Sequence, residues 1–228
     1  MARTRTLEQL REEARERAEM ENSTFVTDDE ADRYVNQAYA KLYGKLVRAR
    51  GDQYFTARHT PSTVAANEAV TLPTSFFKLL RVDVTIPGEV RPRKLRRMGL
   101  EDLDRFDVTV NGYPSHYLIE GAQLTLRPIP GGVYPMVIRY LPHCPYLSND
   151  SDTLDGVNGW EDYVVIAAAL KMLGKEESSR VPELMAELTE MERLIDELSP
   201  DRDDGEPAKV QDVRRHVYED EDDCERHR

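Results

Sequence analysis

The sequence predicts an α+β protein: a bundle of about four helices, a β-rich insertion at about residues 54–142, and an extended C-terminal tail. Three observations carry this reading. Apolar residues recur at helical spacing before residue 54 and after residue 160. Between those stretches the period changes to two, and Gly, Pro and Asn interrupt short runs. Residues 201–228 hold no Leu, Ile, Phe or Trp and cannot build a core. The expected division is therefore one unit over residues 1–200 and an acidic arm over residues 201–228.

The first helix is expected over Thr6 to Met20, with Leu7, Leu10, Ala14 and Ala18 on one face. Five Glu and five Arg lie within residues 3–19, many at i,i+4 spacing, as on a solvated helix with one packed stripe. The second helix begins after Thr27, a candidate N-cap with Glu30 in capping-box position and Val26 placed as a hydrophobic staple. Ala31, Val35, Ala38, Leu42 and Leu46 continue at helical spacing, with Tyr34, Tyr39 and Tyr43 alongside. Gly51-Asp52 is expected to end this helix after about 22 residues.

Short strand-like runs follow from Tyr54 to Leu141, among them "LLRVDVTI", "SHYLIE", "AQLTLRPI" and "YPMVIRYLP". A turn at Gly121 and a break at Pro130-Gly131-Gly132 predict an antiparallel three-stranded meander over Tyr117 to Leu141. "TSFFKLL" reads as one helical turn after a strand end, and "RRMGLEDLDRFD" as a short helix.

Trp160, the only tryptophan, stands before an apolar run from Tyr163 to Leu173, a helix enclosed by others, with Glu161 and Asp162 favoured by its dipole. Trp160 and Tyr163 are expected to be structural, Trp160 plugging the end of the bundle. The last helix carries Val181, Leu184, Met185, Leu188, Met191, Ile195 and Leu198 as one stripe, capped by Ser178 or Ser179 and ended by Pro200. In the tail, Val210, Val213, Val217 and Tyr218 are spaced apolar anchors ahead of "YEDEDDCERHR".

Chemistry is hard to find. The net charge of -12 and pI near 5.0 argue against a generally basic nucleic-acid grip. Cys144 and Cys224 lie 80 positions apart and read as free thiols of a reducing cytosol. No secretory h-region stands at the charged N-terminus. His59, His116, His143, His216 and His227 show no zinc spacing, and no phosphate loop or nucleophile elbow is present. "NDSDTLDG" fails as a calcium loop because Ser151 takes the first ligand position; turn chemistry accounts for it. No cofactor, no metal and no enzyme activity are expected. One cationic run stands out: Arg91, Arg93, Lys94, Arg96 and Arg97. It reads as an inter-subunit or tail-docking patch that pairs with an acidic partner such as the tail of a neighbouring copy, as a DNA backbone contact, or as a charged edge strand.

Several stretches in order resemble the head-to-tail adaptors of tailed phages, particularly short-tailed ones. They are "MENSTFVTDDEADRYVNQAYAKLY", "YFT", "LPTSFFKLLRVDV", "YLIEGAQLTLRPIPGGVYPMVIRYLP", "DGVNGWEDYVVIAAALKMLGKEES" and "MAELTEMERLI". Together they cover most of residues 20–200. The resemblance implies a virion structural protein assembled in the host bacterial cytoplasm. Its copies, usually twelve, would form a ring between the portal protein and a tail or nozzle protein, and genomic DNA would pass through the lumen without sequence-specific binding. It also implies that the C-terminal arm engages the portal, through Val210, Val213, Arg214, Arg215, Val217 and Tyr218. The competing reading from the residues is a soluble acidic protein that regulates a partner through its helical face. An enzyme built from scattered acidic and Tyr residues ranks last.

Overall fold

The computed structural model describes residues 4–107, 109–157 and 159–198. In chain order these form β1 (Thr4–Thr6), α1 (Leu7–Arg17), α2 (Asp28–Tyr54), β2 (Ala57–His59), β3 (Ala69–Thr71), β4 (Phe76–Val84), β5 (Arg93–Lys94) and β6 (Arg96–Arg97). A 3₁₀ helix over Leu100–Arg105 follows. Then come β7 (Asn111–Gly112), β8 (His116–Glu120), β9 (Gln123–Arg127), β10 (Ile129–Pro130), β11 (Met136–Pro142), β12 (Thr153–Asp155), α3 (Glu161–Lys175) and α4 (Val181–Leu198).

The fold is α+β, as the patterning implies. α3 is the central post of the bundle, packed by α1, α2 and α4. Its residues from Tyr163 to Ala169 are all buried, which an alanine-rich helix allows by admitting close neighbours. Leu7, Leu10 and Ala14 of α1 and Leu184 and Ile195 of α4 close on it. Met185 departs from the expected stripe and is 56% exposed, because only part of α4 faces the bundle.

Helix ends differ from expectation for local reasons. α1 begins one residue late because Thr6 is its cap: Gln9 N–H donates to Thr6 Oγ1 (3.2 Å), and Thr6 N–H donates back to the Gln9 side chain (3.0 Å). It ends at Arg17 because Glu19 adopts φ 57 and Met20 N–H returns to Arg15 O (2.8 Å). α2 starts as read, with Glu30 N–H donating to Thr27 Oγ1 (3.3 Å) and Val26 and Ala31 both buried. It runs through Gly51 to Tyr54, 27 residues in all. Packing of the Phe55 ring on Tyr43 (4.6 Å) just beyond offsets the cost of about 1 kcal/mol for a helical glycine.

The insertion holds a second apolar cluster between two four-stranded sheets. One has the order β2-β11-β4-β5 and the other β3-β9-β8-β6. Val82, Val84, Met136 and Ile138 from the first meet Val70, Leu124 and Leu126 from the second. Two expectations are corrected here. β8 and β9 form the hairpin at Gly121 (φ 59), but β11 leaves for the other sheet, where it lies between β2 and β4. β9 takes β3 as its second neighbour instead. "TSFFKLL" supplies only one turn, Phe76 N–H to Pro73 O (2.9 Å), and Phe76 onward is strand because it pairs along its length with β11, with Val82 and Val84 in the core. The read short helix at "RRMGLEDLDRFD" is the 3₁₀ helix.

A two-stranded pairing of β1 with β12 ties the start of the described chain to the segment before α3. No helix among the described residues is long and apolar enough to cross a membrane.

Candidate docking surfaces

The five cations of the sequence run are all exposed, but Leu95 divides them. Leu95 is 1% exposed, sits in the core between the sheets and donates its N–H to Val82 O (2.9 Å). Arg93 and Lys94 therefore edge one sheet on β5, while Arg96 and Arg97 edge the other on β6. Arg93 also bonds Glu89, and Arg91 lies in the bend before β5.

Strand register gathers a different cationic surface. Arg58 of β2 pairs with Arg139 of β11, which pairs with Arg81 of β4. Directly paired residues of antiparallel strands share a face, so three arginines lie side by side across three strands. In the adjacent row Val137 pairs with Asp83, and Asp83 with Lys94. Asp83, only 4% exposed, receives Arg81 Nε at 2.8 Å and Arg139 Nη1 at 2.5 Å. Arg58 and Lys94 form no ion pair among the described residues. The opposite face of the same strands carries Val82, Val84 and Ile138 into the core. Arg58, Arg81 and Arg139 are 23 and 58 residues apart in sequence, so nothing in local spacing announces them.

A second surface lies on the bundle. A groove of about 500 Å³ runs between α1, α3 and α4, lined by Glu13, Glu16, Arg17, Asp162, Glu187 and apolar residues that include Val165. Arg5 bridges Glu13 (2.6 Å) and Asp162 (2.7 Å), and Arg17 pairs with Glu187. Burial pushes the Glu13 carboxyl above its ordinary range; Arg5 opposes this, and Asp162, Glu16 and Glu161 reinforce it. Four carboxylates against two arginines leave the groove negative.

A third hollow, of about 320 Å³, is apolar and lies between α2 and the insertion, lined by Ala40, Gly44, Val47, Phe77, His143 and Cys144, with Tyr43 beside them. Tyr43 Oη donates to Pro142 O (2.5 Å), and burial pushes the Cys144 thiol up to about 11.

The structure accounts for the residues at the start of α3. Trp160 is 8% exposed and its carbonyl accepts from Tyr163 N–H (3.1 Å). Tyr163 is buried, and its hydroxyl donates to Glu192 of α4 (2.9 Å). Burial first, then this bond, raises the phenol's pKa. Glu161 is buried too and accepts from Gly156 N–H (3.3 Å). Asp152, in the stretch whose turn chemistry the sequence shows, accepts from Ser148 N–H (2.7 Å) and Asn149 N–H (2.9 Å). Those backbone bonds, Asn149's first, hold its carboxyl below the ordinary range, as in a turn. Among the described residues no three His, Cys, Asp or Glu side chains group as metal ligands.

The model of the SU10 adaptor protein family matches residues 5–215. The chain belongs to that family. It is a phage adaptor protein, a structural component of the virion neck that contacts portal and tail proteins. Among curated proteins none matches the chain. The match runs beyond the end of α4 and takes in Val210, Val213, Arg214 and Arg215 of the read arm, while Val217, Tyr218 and the acidic end lie past it. All six arm residues, with Cys224, His216 and His227, lie outside the described residues.

Proposed function

We propose that this adaptor joins the portal vertex of a short-tailed phage to its tail as a ring of identical copies, twelve in the usual arrangement. The ring extends the DNA channel, and the genome passes without sequence-specific contact. Residues 201–228 form the portal-engaging arm, with Val210, Val213, Val217 and Tyr218 as apolar anchors and Arg214 and Arg215 between them. The β-rich insertion faces the tail or nozzle protein. Assembly takes place in the host bacterial cytoplasm, and the protein carries out no catalysis.

The observation that carries this reading is the family match over residues 5–215, because it joins the folded unit to the first part of the arm. The physical division agrees. The bundle and the insertion each have an apolar cluster, and the residues after Pro200 have too few apolar side chains to supply a third. An acidic surface also suits a channel wall along which DNA slides without adhering.

The test is reconstitution on purified portal. Full-length protein should bind the portal and form a ring visible by negative-stain microscopy. A chain ending at residue 200 should keep its melting transition and lose the ring. Failure of the full-length protein to bind portal, together with its absence from purified virions, would reject the reading.

A further inference from the structure

We infer that the arginine row Arg58–Arg139–Arg81, extended by Lys94, is an interface for a second copy of this chain, which presents to it the acidic groove of α1, α3 and α4. This rests on the ring reading above and names the contact that would build it.

The cationic surface is constructed, not incidental. Register places its three arginines in one cross-strand row on the face turned away from the insertion's core. Like charges directly opposite on neighbouring strands are unfavourable, so such a row is expected to carry compensation. The two rows contain one carboxylate, Asp83, and it holds Arg81 and Arg139 in place from a buried position. Four cations against one anion leave a net charge of about +3 on a face of a protein whose net charge is -12. The fixed Arg81 and Arg139 heads have already lost rotamer freedom, which lowers the entropic cost of a further carboxylate contact.

The occupant follows from charge complementarity within the same chain. The groove lined by Glu13, Glu16, Asp162 and Glu187 keeps a surplus of negative charge after Arg5 and Arg17 are counted. Glu16 forms no ion pair among the described residues. The groove belongs to the bundle, the arginine row to the insertion, and no ion pair joins them within the described part of one chain. Two different, complementary surfaces on one subunit are what a heterologous, head-to-tail interface requires, and repetition of that contact closes a ring. Arginine is suited to the face because its planar fork takes carboxylates bidentately.

The experiment uses the full chain, mixed as heavy-isotope and natural copies at high concentration and low salt, and treated with a zero-length carbodiimide. The expected product is an isotopically mixed cross-link from Lys94 to Glu13, Glu16 or Glu187. Arg58→Glu with Lys94→Glu leaves the Asp83 clamp intact, and Glu16→Lys alters an exposed side chain, so both variants should fold normally by circular dichroism. Each should weaken self-association, measured by sedimentation, by about tenfold or more, because like charges across an interface repel strongly. Combining the two sets in one chain should restore much of it. Normally folded variants that associate and form rings on the portal like the wild type overturn the interface while leaving the adaptor reading standing. A wild-type chain that gives no mixed cross-link overturns the interface too, and the ring reading falls with it only when portal binding is also absent. Low-salt binding of a DNA duplex that is lost in the Arg58→Glu/Lys94→Glu variant, with self-association unchanged, assigns the face to DNA and overturns the proposal.

Discussion

Tyr163 Oη on α3 donates to a Glu192 carboxylate oxygen on α4 at 2.9 Å, and the other Glu192 oxygen lies 3.3 Å from Lys45 Nζ on α2. One carboxylate thus links three of the four α-helices among the described residues. Tyr163→Phe keeps the ring and removes the donor. Glu192 retains Lys45 and partial solvent access, so the expected loss is about 1 kcal/mol. In a domain of this size that lowers Tm by about 2–4 °C. Urea denaturation should show a lower midpoint with unchanged slope, and a loss above about 3 kcal/mol would mean that the hydroxyl supports more than this link.

Gly156 is required by its neighbour and not by its own φ. A Cβ built there would stand 2.5 Å from Glu161 N and 2.9 Å from Glu161 Cγ. Glu161 is itself buried and accepts the Gly156 N–H. Gly156→Ala must displace backbone at the first turn of α3, so about 2–4 kcal/mol of destabilisation is expected from overpacking and the weakened bond. A melting curve that matches the wild type would show that the turn before α3 relaxes freely.

Trp160 stands at the cap of the same helix, 8% exposed and within the bundle's core cluster. Trp160→Ala should cost about 3–5 kcal/mol, the range for removing a buried aromatic. Its effect on portal binding should follow the folded fraction. Portal binding that is lost in a variant with an intact melting transition would move Trp160 from support to docking.

The parts of this fold that sequence shows are those governed by neighbours in the chain. Leu7, Leu10 and Ala14, the Val26-Thr27 cap and the Gly121 turn each express a rule of a few residues' reach, and each is found where its pattern points. The parts that stay hidden depend on long-range pairing. Leu95 interrupts a basic run only because its side chain enters the core between the sheets, and a sequence shows merely one apolar residue among cations. The Arg58–Arg139–Arg81 row exists because β11 pairs with β2 and β4 instead of β9. Exchange of that one partner also undid the expected meander. Glu161 is similar: adjacent to Asp162, it reads as a helix-dipole acid, yet it turns inward to Gly156 while Asp162 turns outward to Arg5.

Glu177 follows the cap of α3 with φ 55, and Ser178 N–H closes back to Leu173 O (3.1 Å). Glycine is the residue that normally fills such a left-handed position. Glu177 is exposed, so replacing it loses no burial. Glu177→Gly should stabilise the protein by about 0.5–1 kcal/mol, less whatever glycine adds to unfolded-state entropy. A thermal melt should rise by about 2 °C, and a fall instead would show that the Glu177 side chain contributes to the turn.

Cys144 borders the apolar hollow beside α2, and burial raises its thiol from 9.0 to about 11. The folded protein therefore holds this proton more tightly than the unfolded chain does. The sign follows: the stabilising contribution is full below about pH 9 and is lost as pH rises toward about 11. At pH 8 the thiolate fraction should be about 100-fold below that of an ordinary exposed thiol, and alkylation slower in proportion. A Cys224→Ser background leaves Cys144 as the single thiol. In that background, iodoacetamide labelling of the folded protein should keep rising with pH up to about 11. Urea should move the midpoint back to about 9, the thiol's ordinary value. A folded-state midpoint already near 9 would show that water reaches the hollow and that Cys144 is not shielded there.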